Sequence, residues 1–305
     1  MTKTKRLSRQ VLTYTLRELD GEKLNLTNSG QLSLFFVGVG GAFSKLHYQT
    51  NLLIIKGDDH LLVDCGTRTP QAFYDLGLPV GMIRNYHLTH SHADHIGGLD
   101  EVMLVARYGT GIKPQVWITP SYQTTLWDMS LRGGSSFNEV NGGKSLAYGD
   151  MWESHPLRWQ PGYPRETYEF DVGSIHLKAF RTMHFPGNSK SWEDSFWSTG
   201  LVIDDRILFS GDTRFDRALI EDYASLFPIE TIFHDCQLIP PGGVHASIEE
   251  LKDLPAELKA KMVLMHYGDN WREHITRVEE LGFQALARQW VFYDFAPAPK
   301  TRGSE

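Results

Sequence analysis

Cysteine is almost missing. Cys65 and Cys236 are the only two in 305 residues, which excludes a disulfide-stapled fold, and their spacing matches no cysteine-based zinc module. No apolar run approaches the roughly 18 residues that span a bilayer. The basic start, MTKTKRLSRQ, is not followed by the apolar segment of a signal peptide. A cytoplasmic location with no membrane partner is therefore expected. Positive charge is also short, with 30 Lys plus Arg against 37 Asp plus Glu and a net charge of −7. That balance argues against an extended surface that grips nucleic acid through many phosphates. Internal repeats and linker-like tracts are lacking too, so one domain over residues 1–305 is expected, with mobile ends at about 1–10 and 296–305.

What is present is apolar material for a large core, 41% of the chain. Short β-rich runs read as strands at Leu32–Val39, Asn51–Ile55, His60–Asp64, Gln115–Ile118, Ile175–Ala179, Leu201–Ile203 and Ile207–Ser210. Helical spacing appears in Leu99, Val102, Met103 and Ala106, then across Ile248–Leu258 and His274–Leu286. The intermixing predicts an α/β fold. From Trp127 to Tyr168 the chain turns rich in Gly, Ser, Trp and Tyr, which predicts an inserted arm or lid of residues 125–168.

Histidine is plentiful, 13 in all. The segment Asn85-Tyr-His-Leu-Thr-His-Ser-His-Ala-Asp-His-Ile-Gly-Gly predicts a short strand, a sharp turn and a helix, with His90, His92, Asp94 and His95 crowding the turn. Two-residue spacing in extended chain puts His90 and His92 on one side, and the turn brings Asp94 and His95 to a neighbouring face. That arrangement suits two adjacent metals. Further downstream, His184 follows a strand, Asp212 sits in Phe-Ser-Gly-Asp-Thr, and His266 ends the run Met-Val-Leu-Met-His. A lone histidine is more often a satisfied core or surface residue, and His47, His60, His87, His155, His176 and His274 are read that way.

The motif and its downstream partners resemble the signature of the metallo-β-lactamase superfamily, which implies an αββα sandwich. By that resemblance His90, His92 and His184 hold one metal, Asp94, His95 and His266 the other, and Asp212 bridges them. Asp94 is also given a catalytic place. Imidazole and carboxylate ligands suit two Zn²⁺, with Mn²⁺ or Fe²⁺ as alternatives. Asp64, in Leu-Leu-Val-Asp-Cys-Gly, matches the superfamily's strand-end aspartate that orients a ligand histidine. Ile232-Phe-His-Asp-Cys followed by Gly243-Val-His-Ala-Ser-Ile-Glu-Glu resembles the ribonuclease Z-like phosphodiesterase branch. There His245 is the expected general acid, oriented by Asp235.

Only a short stretch separates His184 from Asp212, too short for the RNA-gripping arm of transfer-RNA processing enzymes. The glycines of Phe36-Val-Gly-Val-Gly-Gly are not spaced for a dinucleotide fold. The earlier insertion, Leu126-Trp-Asp-Met-Ser-Leu-Arg-Gly-Gly, is similar to that of the anti-Pycsar cyclic-nucleotide phosphodiesterases of phages and bacteria. That resemblance implies a homodimer, in which a loop of one subunit helps close the other's pocket, acting on 3′,5′-cyclic nucleotides. The substrate expected is a small anionic nucleotide, with substrate-binding residues unassigned. A ribonuclease Z-like nuclease, another phosphodiesterase or a lactonase uses the same ligands, and a non-enzymatic nucleotide sponge is the remaining alternative.

Overall fold

Along the strands Leu32–Gly38, Asn51–Lys56 and Asp59–Val63, successive side chains point to opposite faces, and both faces are buried. Leu34, Phe36, Leu52, Ile54, Leu61 and Val63 enter one apolar core, while Phe35, Val37, Leu53, Ile55 and Leu62 enter another. The computed structural model describes residues 12–136 and 139–297 and resolves this pattern into two eight-stranded sheets packed face to face. Each fully buried Leu or Phe contributes roughly 1.5–3 kcal/mol, so this interleaving is what holds the layers together. Helices cover the outer sides. Phe73, Val102, Met103 and Tyr122 close the outer face of the first sheet, and Leu219, Ile220 and Tyr223 close that of the second. The result is an αββα sandwich.

The first sheet runs Tyr14–Glu18, Val291–Phe295, Leu32–Gly38, Asn51–Lys56, Asp59–Val63, Asn85–His87, Gln115–Ile118 and Glu153–Pro156. The second runs Arg158–Gln160, Thr167–Val172, Ile175–Arg181, Thr199–Ile203, Ile207–Phe209, Thr231–Asp235, Met262–Met265 and Ala285–Leu286. Within it Ile207–Phe209, Thr231–Asp235 and Met262–Met265 are parallel neighbours. Their C-terminal ends therefore emerge side by side, the usual place for a site in such a sheet.

Several helical expectations shorten. The Ile248–Leu258 reading divides into Ile248–Leu251 and Ala256–Lys259, because Pro255 cannot continue a helix and becomes the cap of the second. The His274–Leu286 helix ends at Glu280; Gly282 turns the chain at φ +85, and Ala285–Leu286 becomes a strand. The helix Leu99–Val105 passes into a wider turn over Ala106–Thr110. The aromatic insertion lies folded against the sandwich. Trp127, Leu131, Met151 and Trp152 are buried in the core of the first sheet's outer layer, with Trp152 edge-on to Tyr86 at 5.6 Å. Its last two strands, Glu153–Pro156 and Arg158–Gln160, extend one sheet each. The expectations for residues 1–10 and for the tail beyond 297 fall outside the described residues. Among the described residues no helix is long and apolar enough to cross a membrane.

Candidate metal centre

The strand Asn85–His87 ends in an extended turn, and the short helix Ala93–Ile96 starts directly after His92. This places His90 and His92 before the helix and Asp94 and His95 in its first turn. His184 arrives from the loop after Ile175–Arg181. Asp212 follows Ile207–Phe209 and His266 follows Met262–Met265. Gly211 has φ +58, and a Cβ there would meet the Thr199 carbonyl oxygen at 2.3 Å, so only glycine lets the chain turn Asp212 inward. His266 also takes a left-handed backbone, φ +60, a conformation uncommon outside glycine that histidine adopts more readily than most residues.

Three groups of donor atoms result among the described residues; two hold the seven residues the motifs named, and the third joins Asp212 and His266 to Asp235 and His245. In the first, Nδ1 of His92 lies 2.9 Å from Nε2 of His90 and 3.1 Å from Nε2 of His184. In the second, Nε2 of His95 is 3.3 Å from Asp94 Oδ2 and 3.2 Å from Asp212 Oδ2. Nε2 of His266 is 3.3 and 3.4 Å from the same two oxygens. A tetrahedron of ligands about 2.0–2.1 Å from zinc has edges of about 3.3 Å. The donor spacings of the second cluster match that figure. Asp212 Oδ2 also lies 3.9 Å from His90 Nε2 and 3.8 Å from His184 Nε2, so one oxygen faces both clusters. Nε2 of His95 and Oδ2 of Asp212 are buried without a hydrogen-bond partner. Buried polar atoms are rarely left so, and a cation between these donors would satisfy both.

The outer contacts fix which ring nitrogen faces inward. Nδ1 of His95 donates to Asp64 Oδ2 at 2.7 Å, and Nδ1 of His184 donates to the Val244 carbonyl at 2.8 Å. Nδ1 of His90 lies 3.1 Å from the Thr89 hydroxyl, which donates to Asp64 Oδ2 at 2.7 Å. The Thr89 amide donates to Asp64 Oδ1 at 2.7 Å. Asp64 thus serves one histidine of each cluster, and each Nε2 keeps its lone pair for an ion. Thr89 and the Val244 carbonyl were invisible to motif reading. Their roles depend on partners 25 and 60 positions away, and no residue type marks them.

His245 joins Asp235 beside the second cluster, stacked on His266 at 4.7 Å. Its Nδ1 donates to Asp235 Oδ2 at 2.8 Å and lies 3.9 Å from Asp212 Oδ2. Asp235 is fully buried and held by the Thr213 amide at 3.0 Å. Burial alone would lower the pKa of His245, but Asp235, Asp212 and Asp94 outweigh it and push it up to about 9. The other groups divide by environment. Burial and neighbouring imidazoles hold His90 well below its ordinary value, and burial lowers His184 to about 4. Burial would raise Asp94 and Asp212, yet the imidazoles beside them hold both well below the carboxylate range.

A cleft of about 620 Å³ opens beside His245 and His266, walled by Phe43, Ile239 and Val244 with the glycines 41, 242 and 243. Phe43 is 90% exposed and Ile239 52%, so the wall is apolar and open. Phe185 meets His92 edge-on at 5.8 Å on the other side. The helix Pro120–Leu126, which leads into the insertion, touches this region through Tyr122, whose hydroxyl lies 3.0 Å from that of Ser91.

A family model described as Anti-Pycsar protein Apyc1 matches residues 32–293. An Anti-Pycsar protein Apyc1 of Paenibacillus xerothermodurans is 31% identical over 265 residues, covering 86% of this chain and 98% of the relative. One of Bacillus phage BSP38 is 33% identical over 259 residues, covering 84% of this chain and 96% of the relative. Among solved structures, the metallo-β-lactamase fold protein YhfI from Bacillus subtilis aligns with a TM-score of 0.62 at 14% identity, over 87% of this chain and 99% of that one. That last likeness is one of fold.

Proposed function

The chain belongs to the Anti-Pycsar protein Apyc1 family, and from that membership and the geometry around Asp212 we propose that it is a metal-dependent phosphodiesterase that opens 3′,5′-cyclic nucleotides to linear mononucleotides. Such an activity removes cyclic-nucleotide immune signals. The observation that carries the reading is a single carboxylate oxygen, Asp212 Oδ2, facing two donor clusters with His245 within 3.9 Å of it. His90, His92 and His184 would hold one ion, Asp94, His95 and His266 the other, and Asp212 would bridge them. Two divalent ions, Zn²⁺ by the donor set, supply Lewis acidity toward a phosphoryl group and make water acidic enough to attack near neutral pH.

The chain's own residues do the rest. Asp94, 3.3 Å from His95 and from His266, would be the catalytic carboxylate. His245, its Nδ1 held by Asp235 at 2.8 Å, would give the proton from its other nitrogen to the departing ribose oxygen. Such a transfer is worth typically ~100 to 10,000-fold. Asp235 fixes the tautomer that makes this possible. The cleft's size falls in the range of small-molecule sites, roughly 300–1,000 Å³, and its open apolar wall suits one face of a nucleobase. A small nucleotide therefore fits better than RNA, for which the net charge of −7 also offers little attraction.

Phe185 and Phe196, 41% and 65% exposed and 5.7 Å apart beside His92, support a second copy of the chain near the candidate metal centre and hence a homodimer. Sedimentation at micromolar concentration tests that, with a monomer as the contrary result. A cytoplasmic setting completes the proposal. The activity itself is tested by incubating zinc-loaded protein with 3′,5′-cyclic purine and pyrimidine mononucleotides, bis-p-nitrophenyl phosphate and a precursor transfer RNA, then separating the products. Linear mononucleotides are expected. Cleaved RNA beside intact cyclic nucleotides would move the protein to the nuclease reading, and binding without turnover to the sponge.

A further inference from the structure

The glycine-rich run Phe36-Val-Gly-Val-Gly-Gly-Ala-Phe carries no dinucleotide fold, and its conformation gives it another use. A Cβ on Gly40 would meet the Ser44 side chain at 2.7 Å, and one on Gly41 would meet the His266 carbonyl oxygen at 3.1 Å. The chain therefore doubles back tightly and lies directly against a candidate metal ligand. The Gly41 amide donates to the Tyr267 carbonyl at 3.0 Å. Past the bend, Asp269 accepts from the Ser44 hydroxyl and from the amides of Lys45 at 2.8 Å and Leu46 at 3.0 Å. Arg68 donates to the Ser44 carbonyl at 3.2 Å and to the His47 carbonyl at 3.1 Å. Both flanks of residue 43 are thus fixed.

These contacts hold an apolar ring in water. Phe43 lines the metal cleft and is 90% exposed, so its ring packs on almost nothing of its own chain and its face is open. A lone exposed apolar residue is ordinary on a protein surface. This one stands on a loop tied on both sides, inside a cleft whose lining also holds the half-exposed Ile239, and exposed apolar groups gathered in a groove mark a binding surface. The Phe43 Cα is two residues beyond Gly41, at most about 7 Å along the chain. A ligand with its phosphate beside His245 and His266 reaches the ring across one sugar. Polar groups of the same lining are turned to the chain itself: Asp269 to the loop, the Gln237 amide nitrogen to the Pro241 carbonyl at 3.0 Å, and that of Asn270 to His274 at 2.9 Å. The wall offers a base a face to stack on more than edges to pair with.

We propose that Phe43 is the platform on which the nucleobase stacks, held ready by the Asp269 tie. The assignment rests on the cyclic-nucleotide reading above and names the residue that grips the base.

Because Phe43 buries so little, its replacement is expected to leave the melting temperature unchanged, which is checked first. Binding is then measured by calorimetric titration of the full, zinc-loaded chain with two ligands. One is 3′,5′-cyclic adenosine monophosphate with sulfur in place of a phosphate oxygen; the other is methyl riboside 3,5-cyclic phosphate, which has no base. Phe43→Ala is expected to weaken the nucleotide about tenfold and to change the base-free ligand by no more than about twofold, while Phe43→Trp keeps the nucleotide's affinity. An equal loss for both ligands, or no loss for the nucleotide, overturns the platform. Failure of the activity reading looks different: the wild type then binds the natural cyclic nucleotide without turning it over, and the Phe43 comparison still decides. A wild type that binds no cyclic nucleotide overturns both.

Discussion

The two donor clusters share an oxygen and differ in almost everything else. His90, His92 and His184 offer three neutral imidazoles, and His92 is only half-buried. Asp94, His95, Asp212 and His266 offer two carboxylates and two imidazoles, all buried. A dication in the carboxylate cluster would be nearly neutralised by those two carboxylates, whereas one among the imidazoles would keep its charge apart from what Asp212 lends it. The difference teaches how an acidic protein could attract an anion: the uncompensated charge would be local, at the more open of the two clusters.

The largest break in this comparison is Asp212→Ala, because it removes the one atom both clusters face. Both ions and all measurable hydrolysis are expected to be lost, read by elemental analysis beside turnover; full metal content would contradict the sharing. His245→Ala should spare both clusters, keeping metal while turnover falls by a hundredfold or more. Equal turnover would remove His245 from the chemistry. Asp64→Asn touches one histidine of each cluster through Asp64's contacts to His95 and Thr89. It should weaken metal binding about 10- to 100-fold, measured by competition with a chelator. An effect confined to one ion would show that the Thr89 path to His90 is unimportant.

An effect on stability alone, with none expected on metal or turnover, separates these imidazoles from a buried histidine with no part in either cluster. Nε2 of His60 accepts from the Arg84 amide at 3.0 Å, and burial with the nearby Arg84 charge lowers its pKa to about 4. Its folded value lies below the unfolded 6.5, so as pH falls the unfolded chain takes up a proton that the folded one refuses. The stability contributed is fully present above about pH 6.5 and is lost progressively down to about pH 4, roughly 3 kcal/mol in all. Denaturant melts of wild type and His60→Gln across that window check this, and parallel pH dependence in the two would refute it.

Where the candidate ligands sit was legible because their spacing is local. His90, His92, Asp94 and His95 fall within one turn, and His184, Asp212 and His266 carry strand-end surroundings that can be read from apolar runs. The structure brings all seven together, with Asp64 on His95 and Asp235 on His245. The inner strands of the first sheet were equally plain, since buried runs such as Leu32–Gly38 allow little else, whereas Tyr14–Glu18, Val291–Phe295 and Glu153–Pro156 were not read. Less was visible where geometry rests on distant partners. Thr89 beside Asp64, the Val244 carbonyl beside His184, and the Asp269 carboxylate that ties down residues 44–46 are ordinary residues until the fold brings them together. Strands of two or three residues, such as Ala285–Leu286 and Arg158–Gln160, are set by the sheet edge they join, and no pattern of their own announces them. The helical reading of Ile248–Leu258 failed for the same reason in reverse: local spacing was right, and Pro255 overruled it.

The pairing of the two clusters is tested most directly by the zinc content of the wild-type chain and of His184→Ala, measured by mass spectrometry after exhaustive dialysis. Two equivalents in the wild type and one in the variant are predicted, because the carboxylate cluster survives the loss of an imidazole from its neighbour. One equivalent in both would contradict the account, leaving His90, His92 and His184 without an ion of their own.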